Sequence, residues 1–543
     1  MFRFCFSLAG ALAGALPLHA AEPPHPKLVV ALVVDQFSTD LFNEYRPLYT
    51  AGLAQLADGV VFPRGHQGHA STETCPGHST ILTGARPART GIIANDWQDP
   101  LVPRKDKDSA TFTVYCVEKT GAPGSDARKK VLTHETLLVP TLGDRMKAMD
   151  ASARVVSVSG KDRAAIMLGG HDADLTLWWT NAGFVTYDGM AANIPKQVAG
   201  KINANMRKSY ASPTKPKLPA ACESKAHATK VTDDISIGTL KSFPGNSRRW
   251  RATPALDAFT VDAALAAVKD RELGKRDSID LLAVSLSGTD YVGHYYGSEG
   301  AEMCAQQVAL DQTVGRLLAG LDETGVAYIV TLTADHGAAD ATERNRERGV
   351  MEAQRIDAGL LPENISAQLA EELQLQGPVV LGKHFFANDV YLSLAIPPEK
   401  RAAVLDATYI KYRSHPQVAA VFTRNELIAA APPAGPVDEW TLLERAKASF
   451  NADRSGDLIV LLKPYVSLYM APKNEDTDYT SSHGSAWGYD RRVPILFWWQ
   501  GIEGFQQSTA VETVDIAPTL ARLIGLEIPP HEIDGRALPL VLR

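Results

Sequence analysis

Four apolar, β-branched runs along the chain share one layout: Leu28-Val-Val-Ala-Leu-Val-Val ahead of Asp35, Arg154-Val-Val-Ser-Val ahead of Lys161, Leu281 to Leu286 ahead of Asp290, and Val326 to Leu332 ahead of Asp335. Runs of this length without polar alternation predict strands buried on both faces of a parallel sheet. Segments with a period near 3.6 separate them, such as Met303 to Leu321, where Met303, Leu310, Val314, Leu317 and Leu321 share a face. Near the end, Val493-Pro-Ile-Leu-Phe-Trp-Trp predicts another strand, and Asp515 to Ile524 a helix closed by Gly525. The alternation predicts an α/β fold, a doubly wound and mostly parallel sheet flanked by helices.

Each run delivers a charged residue just past its carboxyl end, where open parallel sheets bind their ligands. Two stretches fit this core less well: residues 168–253, rich in Lys, Pro and small polar residues, and residues 342–481. Core motifs lie on both sides of each. They are therefore read as insertions that cap or flank the site within one catalytic domain, residues 27–543.

Composition adds the compartment. The 543 residues are 45% hydrophobic and 22% charged, with a net charge of -7, and no stretch interleaves basic and aromatic residues as a nucleic-acid groove requires. Residues 1–20 place one Arg ahead of an apolar stretch that ends in small residues, the layout of a cleaved signal peptide. No later segment is long and apolar enough to span a bilayer, so the mature chain is expected to be periplasmic or secreted. It would keep Cys75, Cys116, Cys222 and Cys304, enough for two disulfides in three alternative pairings. No CxxC pair occurs, which argues against a thiolate zinc site.

Zinc without thiolates takes carboxylates and imidazoles. The candidates fall into two sets: Asp290 and His294 with His483, and Asp35 with the adjacent pair Asp335 and His336. Between the first two strands, Thr74-Cys-Pro-Gly-His78 sets Pro76 in the first turn of a helix and Thr74 at its start, where amides and the helix dipole favour a phosphoryl group. Asn95, Lys161 and Arg163 offer an amide, a point charge and a planar fork, which suit a dianionic monoester.

Val34-Asp35-Gln, Thr74-Cys-Pro-Gly-His78, Ser-Gly-Thr-Asp290-Tyr-Val-Gly-His294, Thr-Ala-Asp335-His336-Gly and Ser-His483-Gly resemble the nucleophile and metal motifs of the alkaline phosphatase superfamily. The match runs from Leu28 to Gly525. Asn95 with Lys161-Asp-Arg163 resembles the phosphate grip of its PafA-like branch. The resemblance implies two zinc ions, one on Asp290, His294 and His483, the other on Asp35, Asp335 and His336 with the oxygen of Thr74. It also implies hydrolysis of small phosphate monoesters, with Thr74 as nucleophile and a phosphothreonine intermediate. A third, magnesium-type site is not expected. The sulfatase pattern C-x-P-x-R fails, because Pro76 follows Cys75 directly; Cys75 is read as packed or disulfide-bonded. A phosphodiesterase or phosphonate hydrolase on the same metals, or a zinc-holding binding protein, are the alternatives. The oligomeric state stays open, with a monomer slightly favoured.

Overall fold

The four runs lie side by side in one ten-stranded sheet. The computed structural model describes residues 26–106, 109–119, 121, 123–213, 216–382 and 388–542; the expected signal peptide, residues 1–20, lies outside them. Its main strands are β1 (Leu28–Val34), β2 (Val60–His66), β3 (Val155–Ser159), β4 (Leu175–Thr180), β5 (Gly183–Val185), β6 (Asp280–Leu286), β7 (Tyr328–Thr333) and β8 (Arg492–Trp499). Their order is β2-β8-β7-β1-β6-β3-β4-β5. The five strands from β7 to β4 are parallel, whereas β8 runs antiparallel to both β7 and β2, and β5 folds back on β4.

Register sets the level of the site. Val34 pairs with Leu286, Val33 with Thr333 and Ser285 with Ser159, so the strands end together and the charges that follow them emerge on one edge. Successive residues of β1 supply two cores. Val30, Leu32 and Val34 join the cluster that holds Val261, Leu310, Val314 and Leu317, while Val29, Ala31 and Val33 join the one with Ile81, Leu82, Ile516 and Leu520. Burial on both faces is why the sequence shows unbroken apolar runs.

The helices that matter here are α1 (Thr74–Thr83), α2 (Asp162–Gly169), α3 (Pro254–Asp270), α4 (Gly288–Tyr296), α5 (Ala301–Asp322) and α6 (Ile516–Leu523). The face predicted from Met303 to Leu321 is buried along α5. Gly84, at φ 71°, ends α1 in the left-handed conformation that glycine adopts without penalty. No helix among the described residues is long and apolar enough to cross a membrane.

The first predicted insertion needs a correction. Within residues 168–253, β4 and β5 extend the central sheet next to β3, so the departure from the core begins beyond Val185. The Leu175-Thr-Leu-Trp-Trp-Thr run is buried between packed neighbours, yet it carries no charged residue at its end to mark it as a site strand. Residues 342–481 form a lobe with a three-stranded sheet of their own (Asp389–Val390, Leu458–Leu462, Val418–Thr423) and an apolar cluster that includes Leu360, Leu369, Val404 and Val460. The four cysteines pair as Cys75–Cys116 and Cys222–Cys304.

α1 sits directly on the end of β7. A methyl group added at Gly77 would lie 2.2 Å from the Asp335 carbonyl oxygen, with no flexible side chain to yield. Gly77→Ala is expected to push the helix off the strand, lowering the thermal unfolding midpoint and reducing activity, whereas Gly200→Ala, which meets nothing within 4 Å, should leave both unchanged. Calorimetry and turnover on the two variants check this.

Candidate metal centre and phosphate site

Asp35 follows β1, Asp290 opens α4 after β6, and Asp335 with His336 follows β7, all four fully or almost fully buried. His294 stands one turn after Asp290 on α4. His483 comes from the far end of the inserted lobe, in a loop. The structure brings all six together, although they span almost 450 residues of sequence.

Their atoms converge in the two predicted sets. His294 Nε2 and His483 Nε2 each lie 3.4 Å from Asp290 Oδ1, and His336 Nε2 lies 3.5 Å from Asp35 Oδ1 and 3.3 Å from Asp335 Oδ2. The sets adjoin: the rings of His336 and His483 stack at 3.7 Å. Asp290, His336 and His483 themselves place one ligand atom each within 4.8 Å of one another. In all three histidines the other nitrogen is committed to a backbone carbonyl. His294 Nδ1 meets Ser481 O at 3.0 Å, His336 Nδ1 meets Gly337 O at 3.0 Å and His483 Nδ1 meets Thr72 O at 2.8 Å. Donation from Nδ1–H leaves the Nε2 lone pair facing inward, the orientation of a metal-ligating imidazole.

The facing atoms test whether a cation belongs there. Asp35 Oδ1, Asp290 Oδ1, Asp335 Oδ2 and His336 Nε2 are buried and make no hydrogen bond. Buried polar atoms are almost always satisfied, so four orphans aimed at one another fit a set of divalent-cation ligands. Burial, then the charges of Asp290 and Asp335, push the Asp35 carboxyl well above the usual range. Burial acts the same way on Asp290, but His294, Lys161 and His483 outweigh it and hold the carboxylate well below that range. Burial lowers His294 to about 4 and holds His336 well below the ordinary imidazole range.

Thr74 is the first residue of α1, and its hydroxyl faces two cations. Lys161 Nζ and Arg163 Nη2 each lie 3.2 Å from Thr74 Oγ1. Lys161 also contacts Asp35 Oδ2 at 2.7 Å and Asp290 Oδ2 at 2.5 Å, so it sits between both sets of ligands. Burial works against its charge, but Asp290 and Asp35 hold the ammonium above its ordinary range. Asn95 Oδ1 accepts the Cys75 N–H at 2.8 Å. That bond fixes the orientation of the amide and occupies one of the helix-start donors that sequence reasoning left for phosphate. Arg163, Asn95, Asp290, His294 and His483 line a cavity of about 510 Å³, walled on its outer side by Leu361, Leu468, Tyr469, Met470 and Tyr479 of the inserted lobe.

Several participants were not singled out from the sequence. His78, one turn after Thr74, lies 3.0 Å from Asp335 Oδ2 and could be taken for a ligand beside Asp35 and Asp335. Its two nitrogens are instead engaged by Thr74 O at 2.9 Å and Ser285 Oγ at 2.8 Å, so it buttresses Asp335 and the helix start. The spacing of four from Thr74 was the available signal. Tyr479 stacks flat on His294 at 4.3 Å, and Arg251 Nη2 donates to its hydroxyl at 2.9 Å. Nothing local in the sequence marks that pairing, since the two residues come from different stretches.

The profile of the type I phosphodiesterase / nucleotide pyrophosphatase family matches residues 29–486. The chain is 46% identical over 528 residues to alkaline phosphatase PhoK of Sphingomonas sp, covering 96% of this chain and 92% of that protein. It is 45% identical over 520 residues to alkaline phosphatase PhoD of Zymomonas mobilis, covering 95% and 88%. The crystal structure of wild-type alkaline phosphatase PafA superposes with a TM-score of 0.79 at 24% identity over 95% of this chain and 98% of that one, which shows the shared fold. With most of its length matched by the profile, the chain belongs to the type I phosphodiesterase / nucleotide pyrophosphatase family, a member of the alkaline phosphatase superfamily.

Proposed function

We propose that the protein is an alkaline phosphatase that hydrolyses small phosphate monoesters through a phosphothreonine on Thr74. The observation that carries this reading is the Thr74 hydroxyl held 3.2 Å from both Lys161 Nζ and Arg163 Nη2, beside a cluster of orphaned carboxylate and imidazole atoms. Two adjacent cations stabilise negative charge on the Thr74 oxygen and so favour its attack on phosphorus. The same two groups, with the Asn95 amide, can hold the non-bridging oxygens as charge gathers on them. Asp290, His294 and His483 would hold one zinc ion and Asp35, Asp335 and His336 the other; two such ions supply Lewis-acid stabilisation to the attacking and leaving oxygens. His78 keeps Asp335 and the start of α1 in register while the ester bond to Thr74 forms and is later hydrolysed. The curated relatives named alkaline phosphatase support the monoesterase reading, and the two disulfides support an oxidising compartment, periplasmic or extracellular, reached through residues 1–20 as signal peptide. The lobe of residues 342–481 acts as a cap that walls the substrate cavity.

The family description favours a second reading, a phosphodiesterase on the same metals. Charge counting distinguishes them. A monoester brings two negative charges and three non-bridging oxygens, enough partners for Lys161, Arg163 and Asn95, whereas a diester carries one charge fewer and a bulky group in place of one oxygen.

Three outcomes are expected. Exhaustive chelation removes activity, and zinc restores it better than magnesium, because the ligand set is imidazole and carboxylate; metal analysis alongside the assay checks this, and full activity in the metal-free protein would contradict it. Thr74→Ala loses nearly all turnover while retaining zinc, and acid-quenched wild type carries phosphate on Thr74 by mass spectrometry. Arg163→Ala lowers kcat/KM for an aryl phosphate by about 10²–10³-fold and for its methyl diester by much less. Equal losses on the two substrates would remove the monoesterase assignment.

A further inference from the structure

Asn95 belongs to no helix or strand, yet three of its four polar groups are tied. Its N–H donates to Glu73 Oε2 at 2.6 Å, its carbonyl accepts the Cys116 N–H at 2.9 Å, and its side-chain Oδ1 accepts the Cys75 N–H at 2.8 Å. The two cysteines whose amides hold it are joined to each other. Both lie fully buried, in an apolar cluster with Ile92, Ile93, Trp97 and Ala165, so the tie is anchored on the packed side of the loop. The fourth group, Nδ2, is the one left to donate, and Asn95 lines the cavity beside Arg163.

We propose that Glu73 and the Cys75–Cys116 disulfide are positioning residues for the phosphate grip, acting through Asn95 to aim its Nδ2 at the phosphoryl group on Thr74. The inference rests on the reading of Asn95 as a phosphate ligand. Its physical basis is preorganisation. The disulfide joins residues 41 apart in sequence, and the stretch that carries Asn95, between the helix Pro87–Thr90 and the short strand Asp96–Gln98, belongs to neither element. Without the covalent tie and the Glu73 bond, the loop must order itself each time phosphate binds, and a displacement of about 1 Å in such a contact can cost ~10²-fold in rate. Glu73 and Cys75 flank Thr74 itself, so nucleophile and amide share one rigid frame. Oxygen placement thus depends on a bond that no substrate atom touches.

A double-mutant cycle separates this from a general loss of stability. Zinc-loaded wild type, Asn95→Ala, the pair Cys75→Ala with Cys116→Ala, and the triple variant are compared for kcat/KM on an aryl phosphate and for inorganic phosphate affinity by calorimetry. Asn95→Ala is expected to lose about 10²-fold in kcat/KM, as removal of one preorganised donor does, and the cysteine pair about 10-fold, less than a full 1 Å displacement would cost because the Glu73 bond still holds the Asn95 backbone. The triple variant should fall no lower than Asn95→Ala alone, with the same pattern in phosphate affinity. Losses that multiply would overturn the proposal, as would an Asn95→Ala variant that binds phosphate like wild type. If the cysteine variants fail to fold, Glu73 carries the test. Glu73→Ala should weaken phosphate affinity and Glu73→Gln, whose amide oxygen can still accept the Asn95 N–H, should restore it; a Gln variant as weak as Ala would equally sink the idea. Wild-type turnover of monoesters tests the proposed function separately, and the calorimetric cycle stands without it.

Discussion

Three carboxylates buried at the ends of neighbouring strands repel one another, and the rest of the site is arranged around that repulsion. The sheet register puts Asp35, Asp290 and Asp335 on one edge without access to bulk water, where like charges interact far more strongly than at a surface. Lys161 relieves part of the strain by reaching two of them at once, and His78 supports the third. Among the carboxylate atoms that make no hydrogen bond are Asp35 Oδ1, Asp290 Oδ1 and Asp335 Oδ2, which face the imidazoles. Burying a charge without a partner is costly, and a cation seated among these atoms would offset that cost.

How far the sequence could be read depends on where each side chain is held. Asp35, Lys161, Asp290 and Asp335 were legible because each follows an apolar run, and strand ends have a fixed place in an open parallel sheet. His294 followed from the helical spacing to Asp290. His483 is different: a loop places it, with Ser481 and Thr480 amides both on the His294 carbonyl, and only its motif pointed to it. The partners of Asn95 and the stacking of Tyr479 on His294 were not legible at all, since they depend on contacts between distant stretches. The same is true of the disulfide pairing. β4 and β5 were passed over because the Lys- and Pro-rich residues that follow them gave the whole stretch the look of an insertion.

The two peripheral stretches also hold each other. Lys241 and Arg249 engage Glu475, and Arg251 engages Tyr479, so residues from the first stretch secure the segment of the second that leads into His483. Arg251 stacks over Tyr291 at 4.2 Å on one side while Lys161 lies over the same ring at 5.1 Å. Cation-π contacts of this kind are modest one by one, but in a desolvated setting they add up. The inserted lobe is thereby connected to the candidate site through side chains as well as through the backbone.

The antiparallel strand β8 also governs the order of assembly. It lies between β2 and β7, so β2, which precedes the helix carrying Thr74, joins the parallel strands of the sheet through residues 492–499. A chain emerging from its amino terminus therefore has its Thr74 segment early and the strand that seats it late, after more than four hundred intervening residues. Pairings this distant are slow to form and leave earlier strands exposed while they wait. The site is consequently completed late in the chain, when residues 492–499 bridge the gap between β2 and β7.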